Sequence, residues 1–191
     1  HEITIPEADV LIHCGDGTNL GNIRGGVTFL RWLEQLPHKI KLYVPGNHDF
    51  FIERGECNTE DFGVTLLHDK SIIIDGHKFY GSAWQPEFMG WAFNLPRGKK
   101  LREKWRQIPN DTDVLITHTP PFGYCDVGPQ GKPLGCRDLL DRVLQVRPKL
   151  HLFGHIHEGY GKSYEGNTTF VNASICNSHY VPVNKPFLVV I

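Results

Sequence analysis

The sequence predicts an α/β protein whose strands empty their polar residues at one end, and three observations lead there. Four apolar runs of strand length, at residues 8–16, 39–49, 113–121 and 149–158, each finish in polar side chains: Asp16, then Asn47-His48-Asp49, then His118, then His155 and His157. Continuous apolar runs fit strands buried on both faces, as in parallel sheets. Segments with helical spacing lie between the first and second runs and between the third and fourth, which makes βαβ crossovers. In open α/β sheets the carboxyl ends of parallel strands are where ligands bind.

The elements follow in order. After Gly15 and Asp16, residues 25–36 set Val27, Leu30, Leu33 and Leu36 near one helical face, and Pro37 closes the segment. The second run passes through Gly46, which permits a sharp turn into Asn47. The middle of the chain changes texture: residues 64–67, 71–74 and 78–80 are short strand-like pieces, and Asp75-Gly76 signals a hairpin, so antiparallel pairing is expected there. Residues 84–97 carry Trp84, Phe88, Trp91 and Phe93 among Pro and Gly, either as a loop packed on the core or as a wall for substrate. A short helix is expected at residues 99–107. The third run ends at His118, where Pro120 and Pro121 forbid continuation. Leu139, Leu140, Val143, Leu144 and Val146 then form a helical stripe that Pro148 ends, and residues 168–171 and 187–191 read as further antiparallel strands. One domain, residues 1–191, accounts for the whole pattern.

Composition limits the function. Lys and Arg number 20 against 21 Asp and Glu in 191 residues, with no block of either sign, so nothing favours a nucleic acid polymer or a membrane surface as partner. No apolar run approaches the ~20 residues of a membrane span, and the N-terminus lacks the features of a signal peptide. The five cysteines are odd in number and widely spaced, against a disulfide framework or a zinc knuckle; a reducing, cytoplasmic setting is expected. Histidine is the abundant type, at 11 residues.

If the crossovers keep the strands parallel, Asp16, Asn47, His48, His118, His155 and His157 meet at one crevice. Carboxylate, amide and imidazole ligands without thiolate suit Mn²⁺, Fe or Zn²⁺. Asp16 can bridge two ions, and ions about 3.5–4 Å apart clamp a phosphoryl group. Turn chemistry alone also explains Asp or Asn beside Gly, but not its repetition at every strand end. His48 is either a catalytic group or an ordinary loop histidine. His13, His38, His68, His77, His151 and His179 have no ligand context, and Glu158 is either a support for a metal-bound His or an exposed loop carboxylate.

The ordered set Gly15-Asp16, Gly46-Asn47-His48-Asp49, Thr117-His118-Thr119-Pro120-Pro121 and Gly154-His155-Ile156-His157 resembles the motifs of calcineurin-like metallophosphoesterases. Residues 93–98 and 157–161 resemble the metallophosphoesterase-domain-containing subgroup related to class III cyclic nucleotide phosphodiesterases. The resemblance implies a two-sheet β core flanked by helices, an α/β/β/α sandwich. It implies a two-ion site of Mn, Fe or Zn, with Asp16 bridging, Asn47, His118 and His155 completing one ion and His157 serving the other. It places His48 at the phosphate as a catalytic group, beside Asn47 and supported by Asp49, and it implies hydrolysis of a small phosphodiester, cyclic nucleotides being candidates, by a metal-bound hydroxide. The family pattern opens with an Asp-x-His that has no counterpart ahead of Asp16. The expectation is therefore an N-terminally incomplete domain lacking its first strand, with one ion rather than two; the alternative to a phosphodiesterase is a non-catalytic or weakly active metal-binding scaffold.

Overall fold

A computed structural model describes residues 3–19 and 21–191 of the protein. β1 (Val10–His13) runs parallel to β2 (Ile40–Tyr43), and α1 (Ile23–Gln35) connects them. The helix starts two residues before the expected position because Asn22 caps it, its side-chain oxygen accepting the Gly25 amide at 2.8 Å. After the short helix α2 (Phe50–Glu53) and a 3₁₀ turn at Thr59–Phe62, β3 (Thr65–Leu66) joins β2 in parallel and completes a three-stranded sheet in the order β1-β2-β3. The antiparallel pairing expected for residues 64–67 is thus replaced by a parallel one. The intervening helical turns reverse the chain, and the Leu67 amide reaches the Tyr43 carbonyl at 2.8 Å.

The hairpin forms as expected. β4 (Lys70–Ile74) and β5 (His77–Ser82) are antiparallel, and both residues of the two-residue loop, Asp75 and Gly76, have positive φ, +47° and +81°. That conformation matches the twist of the flanking strands. The aromatic segment folds on itself through a two-residue pairing of β6 (Gln85–Pro86) with β7 (Asn94–Leu95), and α3 (Lys99–Trp105) follows. β8 (Val114–Thr117), α4 (Arg137–Val146) and β9 (Leu150–Phe153) form the second crossover, and β10 (Gly161–Glu165) with β11 (Thr168–Asn172) close a six-stranded mixed sheet in the order β10-β11-β9-β8-β5-β4.

Side-chain alternation divides the core in two. Val114, Ile116, Leu152 and Val171 of the six-stranded sheet pack with Leu42 of β2 and with Leu30 and Leu33 of α1. Their sequence neighbours Leu115, Phe153 and Phe170 point the other way, onto Leu101 and Trp105 of α3 and Leu139 and Val143 of α4. β8 and β9 are buried at every position, which is why they read as unbroken apolar runs.

Residues 187–191 do not form the expected strand. Their alternation is satisfied by packing instead: Phe187 stacks on Tyr160 at 4.7 Å and, with Val189, leans on the first core cluster, while Val190 is 96% exposed. The segment borders a largely apolar cleft of about 830 Å³ whose other wall includes Val10, Ile12 and Trp32. β1, only partly buried along its length, lies at that margin as the edge of its sheet.

Candidate metal centre

The parallel strands β1, β2, β8 and β9 deliver their following residues to one place. Gly15, with φ +99°, and Gly46 lie against each other, and a Cβ on either would run into the His118 ring; one on Gly46 would also strike Asp16. Two small residues at this point are a steric requirement. Asp16 and His155 themselves adopt left-handed backbone, φ +58° and +68°, a conformation that non-glycine residues enter at a cost and that concentrates at functional sites.

The geometry brings together Asp16, Asn47, His118 and His155. His118 Nε2 lies 3.2 Å from Asp16 Oδ2 and 2.9 Å from Asn47 Oδ1. One ligand atom each from Asp16, His118 and His155 falls within 4.8 Å of the others, and the two imidazole rings are 4.8 Å apart, centre to centre. His118 and Asn47 are buried; Asp16 and His155 are partly so. The other nitrogen of His118, Nδ1, meets the Cys14 carbonyl at 2.8 Å, so Nδ1 carries the proton and Nε2 is turned toward the oxygens. Three acceptors facing inward, two oxygens and an imidazole lone pair, repel one another unless a cation or a proton sits among them. These residues fit a divalent metal, and their imidazole, carboxylate and amide donors suit Mn²⁺, Fe or Zn²⁺.

Electrostatics agrees. Burial works against the charge on Asp16, but His118, then His155 and the His48 amide, outweigh it and hold the carboxyl below its usual range. Burial also opposes charge on His118, and the neighbouring Asp16 overcomes it and raises the imidazole. Burial, reinforced by His118, lowers His155 to about 3, leaving a neutral ring with a free lone pair. Cys14 takes part through its carbonyl alone, since burial pushes its thiol up to about 12.

His157 lies outside this cluster. Its Nδ1 pairs with the Asn177 carbonyl at 2.8 Å, the same device that orients His118, but it shares no ligand point with the other three. His48 stands at the rim, its amide donating to Asp16 Oδ1 at 2.9 Å and its Nδ1 paired with the Asn19 carbonyl at 2.8 Å. The expected support of His48 by Asp49 is replaced by different work. The fully buried Asp49 carboxylate accepts the amides of Asp16 at 2.8 Å, Gly46 at 2.7 Å, Thr18 at 3.2 Å and Gly17 at 3.4 Å, tying the loop after β1 to the loop after β2. Burial and then the charge of Asp16 raise Asp49 to about 6, so it remains ionised at neutral pH.

His13, one of the histidines without ligand context, has a structural place: its ring packs on Phe29 and Tyr43 while Nδ1 accepts the Gly15 amide at 3.3 Å, holding the turn. The remaining histidines without ligand context include His38, bonded to the Pro6 carbonyl, and His151, buried against Thr117. Glu158 is an exposed carboxylate in the 3₁₀ turn His157–Gly159.

A carboxylate, an amide and two imidazoles gathered at parallel strand ends define the protein as a metal-binding member of the phosphoesterase fold. The family profile described as Calcineurin-like phosphoesterase matches residues 1–159, and the chain belongs to that family. It is 41% identical over 214 aligned residues to metallophosphoesterase domain-containing protein 1 of Homo sapiens, covering 98% of this chain and 66% of that protein. A UPF0046 protein of Caenorhabditis elegans is 44% identical over 193 residues, covering 93% of this chain and 66% of the relative. The chain therefore spans 66% of the length of these relatives. The crystal structure of TT1561 from Thermus thermophilus superposes with a TM-score of 0.60 at 19% identity, over 87% of this chain and 77% of that one, a likeness of fold. Among the described residues no helix is long and apolar enough to cross a membrane.

Proposed function

We propose that this chain holds one divalent ion through Asp16, Asn47, His118 and His155, binds a phosphoester at it, and acts as a weakly active or non-catalytic metal-binding member of its family. The observation that carries this is the asymmetry of the centre: one ligand set converges, and His157 stands apart from it. A divalent ion there would activate water for attack on phosphorus and neutralise charge on the phosphoryl oxygens. The chain's own residues supply the rest. The His48 amide fixes Asp16, the Cys14 carbonyl fixes His118, and the Asn19 carbonyl holds the His48 ring with Nε2 free to donate a proton to a leaving oxygen when the imidazole is protonated. The cysteine usage supports a reducing, cytoplasmic setting.

A second reading, a two-ion phosphodiesterase acting on small diesters such as cyclic nucleotides within a complete α/β/β/α sandwich, draws support from His48 at the rim and from the edge position of β1 beside the cleft. Metal analysis after Mn²⁺ loading, together with hydrolysis of bis(p-nitrophenyl) phosphate, separates the two. One ion per chain with little turnover is expected. Two ions and brisk, chelator-sensitive turnover once an N-terminal segment carrying Asp-x-His is added would favour the second reading, and no bound ion in either form would overturn both.

A further inference from the structure

His155 sits at the middle of a three-residue turn: the Ile156 amide donates to the Gly154 carbonyl at 2.8 Å, across a central residue whose φ is +68°. That is the rare, strained hand of the γ-turn, and a side chain as large as imidazole stays at its centre only where the surrounding structure imposes it. The constraint comes from Asn172, at the end of β11. Its side chain is fully buried, and both its N–H groups and its oxygen are engaged. Nδ2 donates to the Ile156 carbonyl at 2.8 Å and to the Cys125 carbonyl at 2.9 Å, while Oδ1 accepts the Ser174 amide at 3.0 Å. Two N–H groups facing carbonyls and an oxygen facing an amide fix which way the carboxamide is turned.

Three segments meet on this one group: the turn that carries His155, the loop that follows His118, and the chain leaving β11. The Ile156 carbonyl also accepts the Gly159 amide at 3.1 Å, which closes the 3₁₀ turn His157–Gly159. Gly159 has to be small, because a Cβ there would collide with the Cys125 carbonyl and with Asn172 Nδ2. We propose that Asn172 is a positioning residue of the metal centre: its carboxamide grips the Ile156 carbonyl, and through it the strained turn, so that the His155 imidazole faces Asp16 and His118. Leucine has the shape without the donors, and aspartate would set a charge against two carbonyl oxygens. Asn172 itself touches neither ion nor substrate. This assignment rests on the single-ion site proposed above.

The test is Mn²⁺ titration of the full chain, followed by pulsed electron paramagnetic resonance of the bound ion, which counts coordinated imidazoles. The parent should show two, from His118 and His155. Asn172→Ala should show one and bind Mn²⁺ about 10–100-fold more weakly, the usual loss when a group that orients a metal ligand is removed. Asn172→Ser keeps a hydroxyl that can donate to one carbonyl; it disturbs the fold less, should fall between parent and alanine, and reports even if the alanine variant fails to fold. Phe170→Leu, two residues earlier in β11 and fully buried on the side of α3 and α4, is the control for lost stability alone. It should keep both imidazoles and the parent affinity to within about threefold. Added to His155→Ala, Asn172→Ala should cost less than about threefold more, because the ring it aims is already gone. Two imidazoles at parent affinity in the Asn172 variants overturn the assignment, as does a loss in Phe170→Leu equal to that in Asn172→Ala, or a full further loss in the double variant. A parent chain that binds no Mn²⁺ overturns the single-ion site and the assignment with it.

Discussion

Asp49 offers the sharpest test of how the centre is held together. Three well-made amide bonds, from Asp16, Gly46 and Thr18, end on its carboxylate. Asp49→Ala strands all three, and buried amides left without acceptors cost about 1–3 kcal/mol each, less whatever water entering the space recovers. Against that stands a relief. Asp49 titrates near 6 in the folded chain against an ordinary 3.8, so keeping it ionised at pH 7 costs roughly 3 kcal/mol relative to the unfolded chain. The net loss for alanine then falls between about zero and 6 kcal/mol, centred near 3. Asp49→Asn behaves differently: its remaining oxygen can take the Asp16 and Gly46 amides, stranding only the Thr18 amide, and the loss of charge brings nearly the same relief. Its stability should stay within about 2 kcal/mol of the parent. Urea unfolding at pH 7 in chelator measures both, and Mn²⁺-dependent stabilisation of the same variants reports whether Asp16 is still held in place. If asparagine destabilises as much as alanine, the charge of Asp49 and not its role as acceptor governs the two loops, and the reasoning from amide bonds is refuted.

Neighbouring residues supply other tests. Gly46→Ala drives a methyl into Asp16 and His118, and metal titration should show Mn²⁺ affinity down at least about tenfold with the fold retained by circular dichroism. His118→Ala should abolish ion binding as read by metal analysis, whereas His157→Ala should leave the single ion in place; equal losses would merge His157 into the same ligand set. His151, lowered to about 3 by burial alone, stays neutral in the folded chain while the unfolded chain protonates near 6.5, so stability falls as pH drops below 6.5. By pH 4 that residue accounts for roughly 3 kcal/mol of the loss, and His151→Phe should flatten the metal-free stability profile between pH 6.5 and 4 by that amount relative to the parent; an unchanged slope would mean the ring is hydrated in the native state.

The strand ends were legible in the sequence because burial on both faces forces an unbroken apolar run, and a glycine followed by a hydrogen-bonding side chain is conspicuous after it. This is why β1, β2, β8 and β9 and the meeting of Asp16, Asn47, His118 and His155 could be anticipated. Residues 64–67 mislead because their partner, β2, lies well back in the chain and the intervening turns decide its direction. Residues 187–191 mislead because alternation records which side chains are buried, and Phe187 and Val189 pack on the core without any ladder. Adjacency points Asp49 toward His48, while its carboxylate actually reaches amides more than thirty residues away. The groups that orient the rings of His118, His48 and His157 are the carbonyls of Cys14, Asn19 and Asn177, backbone atoms that no side-chain pattern can flag.

The left-handed backbone at Asp16 and His155 has a consequence for how an ion is captured. Because main-chain torsion, glycine contact and second-sphere carbonyls already aim the donors before any cation arrives, little ordering remains to be done on loading. The rate of uptake is then governed by stripping water from the ion, and β-branched replacements at either position are refused by the chain before coordination chemistry is consulted.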